Sequence, residues 1–428
     1  MPDNLRYVPF SELADVNPST GRSGLSPDSL VSFIPMADVS NEGEWINRQE
    51  RRLCEVEEGY TAFQENDVLF AKITPCTENG KGVHAIGLTN GIGSGSTEFH
   101  VLRPKHPDSG RFLFYWSQSD RLRVRAASVM TGSAGQQRVP ARFFDEFEIP
   151  LLSLPEQCRI AEILDAADEA IRQTERLIAK LKAVKAGLLH DLLTRGLDEH
   201  GHLRDPQAHP EQFKDSPLGR IPKDWEVRPL ADAAANQPNS FVDGPFGSNL
   251  KASEYSDEGV RLIQLQNIGE GIWYDENEKF IPEGKFQELI RHATYPGDIA
   301  IAKMADPVAR ACIVPPVSER FVVVADCIKL SPDLSRYDSR YLVAAINHCN
   351  FRLQAEGKST GTTRKRINLT ALKTIMLPVP PIEEQRYIAV FLDAHDARIR
   401  IEEAELAKLR QVKRGLMDDL LTGRVRVT

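Results

Sequence analysis

The chain lacks the marks of several common protein classes. Its six cysteines (Cys54, Cys76, Cys158, Cys312, Cys327, Cys349) form no Cys-x-x-Cys pair and no zinc-ligand spacing, so no metal site is expected and the thiols read as reduced. No apolar run reaches the ~18 residues a membrane helix needs; the longest suspicious stretch, Phe321 to Val324, reads as a buried strand. The opening Met-Pro-Asp-Asn-Leu-Arg has no basic-then-apolar layout of a secretory signal. The expectation is a cytoplasmic protein with no membrane partner.

Catalytic signatures are missing as well. There is no Gly-x-x-x-x-Gly-Lys-Ser/Thr phosphate loop and no Gly-x-Ser-x-Gly elbow. Gly91-Ile-Gly-Ser-Gly95 lacks the strand-then-helix setting of a dinucleotide fingerprint. Asn17-Pro-Ser-Thr is not the Asn-Pro-Pro-aromatic motif of amino-methyltransferases, and no Asp…Glu-x-Lys nuclease set stands in a strand context. His200, His202 and His209 are irregularly spaced, without paired carboxylate or thiol ligands. These absences predict a chain with no catalytic residue, no metal and no cofactor of its own.

Excess positive charge is also lacking. The 53 Lys and Arg are outnumbered by 61 Asp and Glu, for a net charge of −8, which taken alone argues against nucleic acid. The local distribution differs. Arg103 to Arg142 carries eight basic residues against two acidic ones, and Arg340 to Lys373 carries seven against one. Two basic segments in matching places predict a polyanion-facing surface.

What the sequence does have is a repeat at an offset of 228 residues. Glu156 to Thr194 lies on Glu384 to Thr422 without a gap, and roughly half the positions are identical. This period is far longer than the ~20–50 residues of a solenoid unit, so the repeat is a duplicated domain-plus-helix unit. Within it the apolar positions alternate in steps of four and three: Ile160, Leu164, Ala167, Ile171, Ile178, Leu181, Leu188 and Leu192. The second copy gives Ile388, Leu392, His395, Ile399, Leu406, Leu409, Leu416 and Leu420. That is a heptad seam, broken in both copies at Thr174/Glu402 and Lys185/Lys413. About 40 residues at 1.5 Å each make a helix on the order of 60 Å long. A helix of that length needs a partner, and the other copy is the nearest, so an antiparallel coiled coil is expected.

Before each helix the chain reads as mixed α/β (α+β), with short β-like runs between Gly, Asn and Pro turns. Arg261-Leu-Ile-Gln-Leu matches Val31-Ser-Phe-Ile, Asp298 to Lys303 matches Asp67 to Lys72, and Arg340-Tyr-Leu matches Arg111-Phe-Leu. One helix is expected from Gly110 to Ala127. The predicted organisation is a globular domain over 1–152, a helical region over 153–197 and a linker over 198–221. A second globular domain over 222–380 and a second helical region over 381–428 complete it. The domains match less well than the helices, as expected if the helices share a job while the domains bind different things.

These residues resemble the specificity (S) subunits of type I restriction–modification enzymes over nearly the whole chain. The resemblance rests on DVLFAKITPCTENGK (Asp67 to Lys81) and its counterpart Asp298 to Lys303, and on the polar loops TGSAGQQRV (Thr131 to Val139) and STGTTRKRI (Ser359 to Ile367). It rests also on the E-Q-x-x-I-A step into each long helix, and on DGPFGSNLK (Asp243 to Lys251) and LGRIPKDW (Leu218 to Trp225). The second domain departs from the first in having Met304-Ala-Asp where the first has Ile73-Thr-Pro. The resemblance implies two target-recognition domains, each reading half of a bipartite double-stranded DNA sequence, on a helical pair that acts as a ruler with an internal pseudo-two-fold. It implies docking of two modification (methyltransferase) subunits on the helices and association with restriction/translocase subunits. S-adenosylmethionine, ATP and Mg belong on those partners.

Side-chain chemistry then selects candidate DNA contacts. They are Lys72, Thr77, Asn79, Lys81, Ser133, Gln136, Gln137 and Arg138 in the first domain, and Ser248, Asn249, Lys251, Lys303, Thr362, Arg364, Lys365 and Arg366 in the second. Two alternatives stay open at this stage: a protein-binding scaffold, which the acidic balance suits, and a self-contained enzyme with an unrecognised active site.

Overall fold

Two strands flanking each globular domain pair with one another and close it: Tyr7–Pro9 with Glu148–Pro150, and Glu226–Pro229 with Met376–Val379. A computed structural model describes residues 5–21, 24–133, 135–304, 306–361 and 364–427. Among them the contacts divide into two units, 1–177 with 402–428, and 178–401. The division falls inside both long helices, Leu154–Thr194 and Ile382–Leu421.

Each unit contains the same pair of four-stranded sheets. In the first unit one sheet runs Gln49–Arg52, Leu30–Ile34, Ile92–Gly95, Thr61–Gln64, and the other Ala14–Val16, Phe99–Pro104, Val68–Ala71, Gly82–His84. In the second the orders are Phe280–Ile281, Val260–Ile263, Phe321–Val323, Ala293–Thr294, and Phe241–Asp243, Cys327–Leu330, Ile299–Ala302, Ala311–Ile313. The matched runs of the sequence occupy matched places. Val68–Ala71 and Ile299–Ala302 are interior strands of their sheets, buried at every residue, as continuous apolar runs require. Each unit has one parallel pair, Leu30–Ile34 on Ile92–Gly95 and Val260–Ile263 on Phe321–Val323. Phe321 to Val323 is the buried strand expected.

The single helix expected from Gly110 to Ala127 is two helices, Gly110–Gln118 and Asp120–Ser128. Ser119 leaves helical geometry and its hydroxyl accepts the Leu122 N–H, so one residue both ends the first helix and caps the second. The second unit repeats the break at His348, between Ser339–Asn347 and Cys349–Gly357. The stretch read as a linker also carries structure: Phe213–Ser216 and Gly219–Pro222 form a hairpin.

The seam positions face inward. Ile160, Leu164, Ile178, Leu192, Ile388, Leu392, Ile399 and Leu420 are buried, while Ile171, Leu181, Leu188, Leu406, Leu409 and Leu416 are half-buried. In the first unit the initial part of the first long helix runs antiparallel to the final part of the second. Glu156 pairs with Arg426, Asp168 with Lys413 and Glu175 with Arg410. In the second unit Lys185 reaches Asp396 at 2.5 Å, and Leu188 and Leu192 share a core with Ile388 and Leu392. The seam-breaking lysines are thereby explained. Lys185 and Lys413 occupy equivalent places, and so do their partners Asp396 and Asp168.

The helix ends belong to the domain cores. Ile160, Leu164, Met417 and Leu420 pack with Phe10, Phe112, Trp116 and Phe144 of the first domain. Leu192, Ile388 and Leu392 pack with Trp225 and Tyr341 of the second.

Candidate nucleic-acid interface

The polar loop of each domain is a short hairpin laid across the end of an interior strand. In the first domain Thr131 and Arg138 exchange backbone hydrogen bonds of 3.0 and 2.9 Å. Val139 N–H donates to the Lys72 carbonyl at 2.8 Å, and Thr74 N–H to the Gln137 carbonyl at 3.0 Å. In the second Thr360 and Arg366 exchange two bonds of 2.9 Å, and Ile367 N–H donates to the Lys303 carbonyl at 3.0 Å. Equivalent carboxylates hold both hairpins. Arg138 pairs with Glu98 at 2.7 Å and Arg366 with Asp326 at 2.8 Å. The Arg138 guanidinium hydrogen-bonded to Glu98 holds that carboxyl below its usual range.

Side chains on this frame divide into presented and internal sets. Asn79, Ser133, Gln136 and Gln137 are exposed in the first domain, and Asn249, Lys251, Arg364 and Lys365 in the second. Thr77 is fully buried and its hydroxyl donates to the Ala71 carbonyl at 2.8 Å. Lys303 is 3% exposed and pairs with Asp243 at 2.8 Å. Lys81 is half-buried, its ammonium donating to the Met36 carbonyl at 2.9 Å. Lys72 is half-buried between Glu98 and Arg138, and burial lowers its pKa. Thr362 lies outside the described residues, as does the side chain of Ser248.

The basic segments are less outward than their composition suggested. Arg103 is bound to Asp67, Arg111 to Asp165, and Arg340 to Asp338 and Asp393. Arg123 and Arg352 are buried. Arg123 donates to the carbonyls of Thr77 at 2.7 Å and Lys81 at 3.3 Å, with its guanidinium over the Phe70 ring. It therefore shapes the loop that carries Asn79. Sequence reading missed this role because a buried arginine with carbonyl partners looks like any other basic residue in composition. Lys105, Arg121, Arg125, Arg142, Lys358, Arg364 and Lys365 remain exposed, Lys365 while pairing with Glu356. Sequence reading also passed over Phe246, an exposed aromatic whose ring lies 4.6 Å from the Lys303 ammonium.

Two histidines on strands of the first domain, His84 and His100, add a second titratable feature. Burial, then the nearby Arg111 guanidinium, pushes His84 down to about 4; burial also lowers His100. Such imidazoles stay neutral in the folded chain but protonate in the unfolded one. The unfolded state then binds more protons, so stability falls as pH drops from about 6.5 to about 4, by on the order of 3 kcal/mol for His84. Thermal melts across this range should show His84→Gln flattening the acid limb; an unchanged limb would exclude His84 as its source.

No described helix is long and apolar enough to cross a membrane. The family signature of the type I restriction modification DNA specificity domain matches residues 37–183 and 275–411, once in each half. The chain is 28% identical over 319 residues to the type I restriction enzyme MjaVIII specificity subunit of Methanocaldococcus jannaschii, covering 74% of this chain and 70% of that one. It is 37% identical over 283 residues to the EcoAI specificity subunit of Escherichia coli, covering 65% of this chain and 42% of that protein, so the match spans under half of the EcoAI subunit. Two solved structures share the fold across almost the full length of both chains. One comes from a study of complex assembly and conformational transition of the type I R-M system (TM-score 0.62, 19% identity, 99% of each chain). The other is the type I restriction–modification S subunit from M. genitalium (TM-score 0.53, 16% identity, 98% of this chain and 97% of that one). With duplicated sheets, two loop hairpins on equivalent anchors and a family signature in both halves, the chain belongs to the type I restriction–modification DNA-specificity family.

Proposed function

We propose that this chain is the sequence-reading subunit of a type I restriction–modification complex, in which each recognition domain reads one half of a bipartite DNA target. The observation that carries this reading is one frame with two sets of readers. The anchors are equivalent (Arg138–Glu98, Arg366–Asp326), whereas the exposed side chains differ: Ser133, Gln136 and Gln137 on one hairpin, Arg364 and Lys365 on the other. Gln pairs with adenine and Arg with guanine in the major groove, so two different half-sites follow. The helical pair sets the distance between half-sites and docks two modification subunits, which bind S-adenosylmethionine and methylate adenine. Restriction/translocase subunits, with ATP and Mg, cut the DNA. The chain itself contributes no chemistry, and the complex works in the cytoplasm. Because the chain is acidic overall, much of the phosphate-neutralising surface is assigned to the modification subunits; tight DNA binding by the chain alone at physiological salt would overturn that assignment.

The test is co-expression with a modification subunit, followed by single-molecule sequencing of methylated adenines in host DNA. A bipartite motif with a fixed nonspecific gap supports the reading. A stable complex that leaves no motif overturns it in favour of an inactive specificity subunit or a scaffold. Within an active complex, Gln137→Ala should cost about 1–3 kcal/mol and relax one position of one half-site. Loss of a phosphate contact, as expected for Lys251→Ala, should weaken all sequences and flatten the salt slope by about one unit. Equal loss on every sequence for Gln137→Ala would remove it from base reading.

A further inference from the structure

Three side chains able to ligate a metal meet in the second unit, at positions whose spacing along the chain carries no metal signature. His190 projects from the first long helix (Leu154–Thr194), while His348 and Cys349 form the corner between the helices Ser339–Asn347 and Cys349–Gly357. One ligand atom from each lies within 4.8 Å of the others. Cys349 Sγ is 3.5 Å from His348 Nε2, and the two imidazole centroids are 5.5 Å apart. We propose that His190, His348 and Cys349 bind a borderline-soft divalent ion such as Zn2+, tying the first long helix to the corner of the second recognition domain.

The donor set suits that class of ion. Zinc takes imidazole nitrogen at ~2.0–2.1 Å and thiolate sulfur at ~2.3 Å, so its ligand atoms stand ~3.3–3.8 Å apart in a tetrahedron. The 3.5 Å sulfur–nitrogen separation already falls in this range. His190 and Cys349 are exposed and His348 is buried, so the two outer ligands are the ones free to turn inward. One contact opposes binding. His348 Nδ1 accepts the Asn350 N–H at 3.4 Å, and ligation through Nε2 places a proton on Nδ1, so this long cap bond gives way. Binding also releases the thiol proton of Cys349 to solvent. Three protein ligands leave the fourth position to water.

The other half of the chain is an internal control. Its equivalent positions are Asp418, Ser119 and Asp120, an oxygen-only set. Neither imidazole nor thiol is present there, so a borderline-soft ion is expected in one half only.

Titration of the full-length chain with Co2+ tests this, because thiolate ligation gives a charge-transfer band in the near ultraviolet. The band should saturate at one ion per chain, yield to Zn2+, and vanish in Cys349→Ser while surviving Cys158→Ser. His190→Ala should keep the thiol but weaken binding by at least about tenfold. Both substituted side chains are exposed, so metal-free melts of the two variants should match the parent. The proposal fails if no band forms, if the band persists in Cys349→Ser, or if His190→Ala binds as tightly as the parent.

Discussion

Glu384→Ala is expected to destabilise the second unit by about 3–5 kcal/mol, the cost of leaving a buried charge without its partner. Glu384 is 9% exposed. It accepts from Arg204 at 2.6 Å, from the Trp225 indole N–H at 3.0 Å and from the Leu197 backbone N–H at 2.8 Å. Removing it orphans three donors, of which only Arg204 has a further carboxylate, Asp224 at 3.2 Å. Gly196 shows how tightly the site closes, since a Cβ there would lie 2.2 Å from Glu384 Oε1 and 2.4 Å from the Trp225 ring. Denaturant unfolding followed by far-ultraviolet circular dichroism reads the loss. A change under about 1 kcal/mol would mean that water replaces the carboxylate and that the site is not closed. Glu384→Gln keeps the shape and should recover part of the loss.

Lys413→Glu is expected to cost the first unit a similar amount, about 3–5 kcal/mol, by facing a carboxylate with carboxylates. Lys413 pairs with Asp168, their side chains 20% and 15% exposed. Asp168 also accepts from the Tyr115 hydroxyl at 2.8 Å, and that hydroxyl is 2.7 Å from Asp165. The cluster continues to Arg111, which binds Asp165. The reversed pair Lys413→Glu with Asp168→Lys should recover at least about 1 kcal/mol in a double-mutant cycle; zero coupling would mean that the two charges do not meet in solution. The equivalent substitution Lys185→Glu should cost less, because Lys185 and Asp396 are 31% and 37% exposed and solvent screens them.

These two sites also mark where sequence reading stops. The repeat, the heptad seam and the pairing of two helices were legible because they are periodic: Ile160, Leu164, Ile178 and their copies follow spacing alone. The breaks at Lys185 and Lys413 were visible, but their partners were not, since Asp396 and Asp168 are more than two hundred residues away in the chain. A separation of 180 residues likewise hid Glu384 from Arg204. Local chemistry defeated the reading in the other direction. Gly110 to Ala127 has an apolar pattern that continues through Ser119, and only the hydroxyl's bond to Leu122 reveals two helices. For the interface, composition counted Arg123 as outward charge, whereas folding buries it against the Thr77 and Lys81 carbonyls. Net charge along a segment records how many guanidiniums there are, not which carbonyls and carboxylates they meet.

The division of the long helices sets an order for biosynthesis. The second unit is one uninterrupted stretch, 178–401, whereas the first needs 1–177 together with 402–428. A ribosome therefore releases all of the second unit before the first can be completed, the reverse of the usual sequence in which the earlier domain folds first. Until residues 402–421 emerge, Ile160 and Leu164 wait without Met417 and Leu420, with which they share a core. A chain truncated before Glu402 would hold a complete second unit and an open first one, so the growing polypeptide is vulnerable for longest at its oldest end.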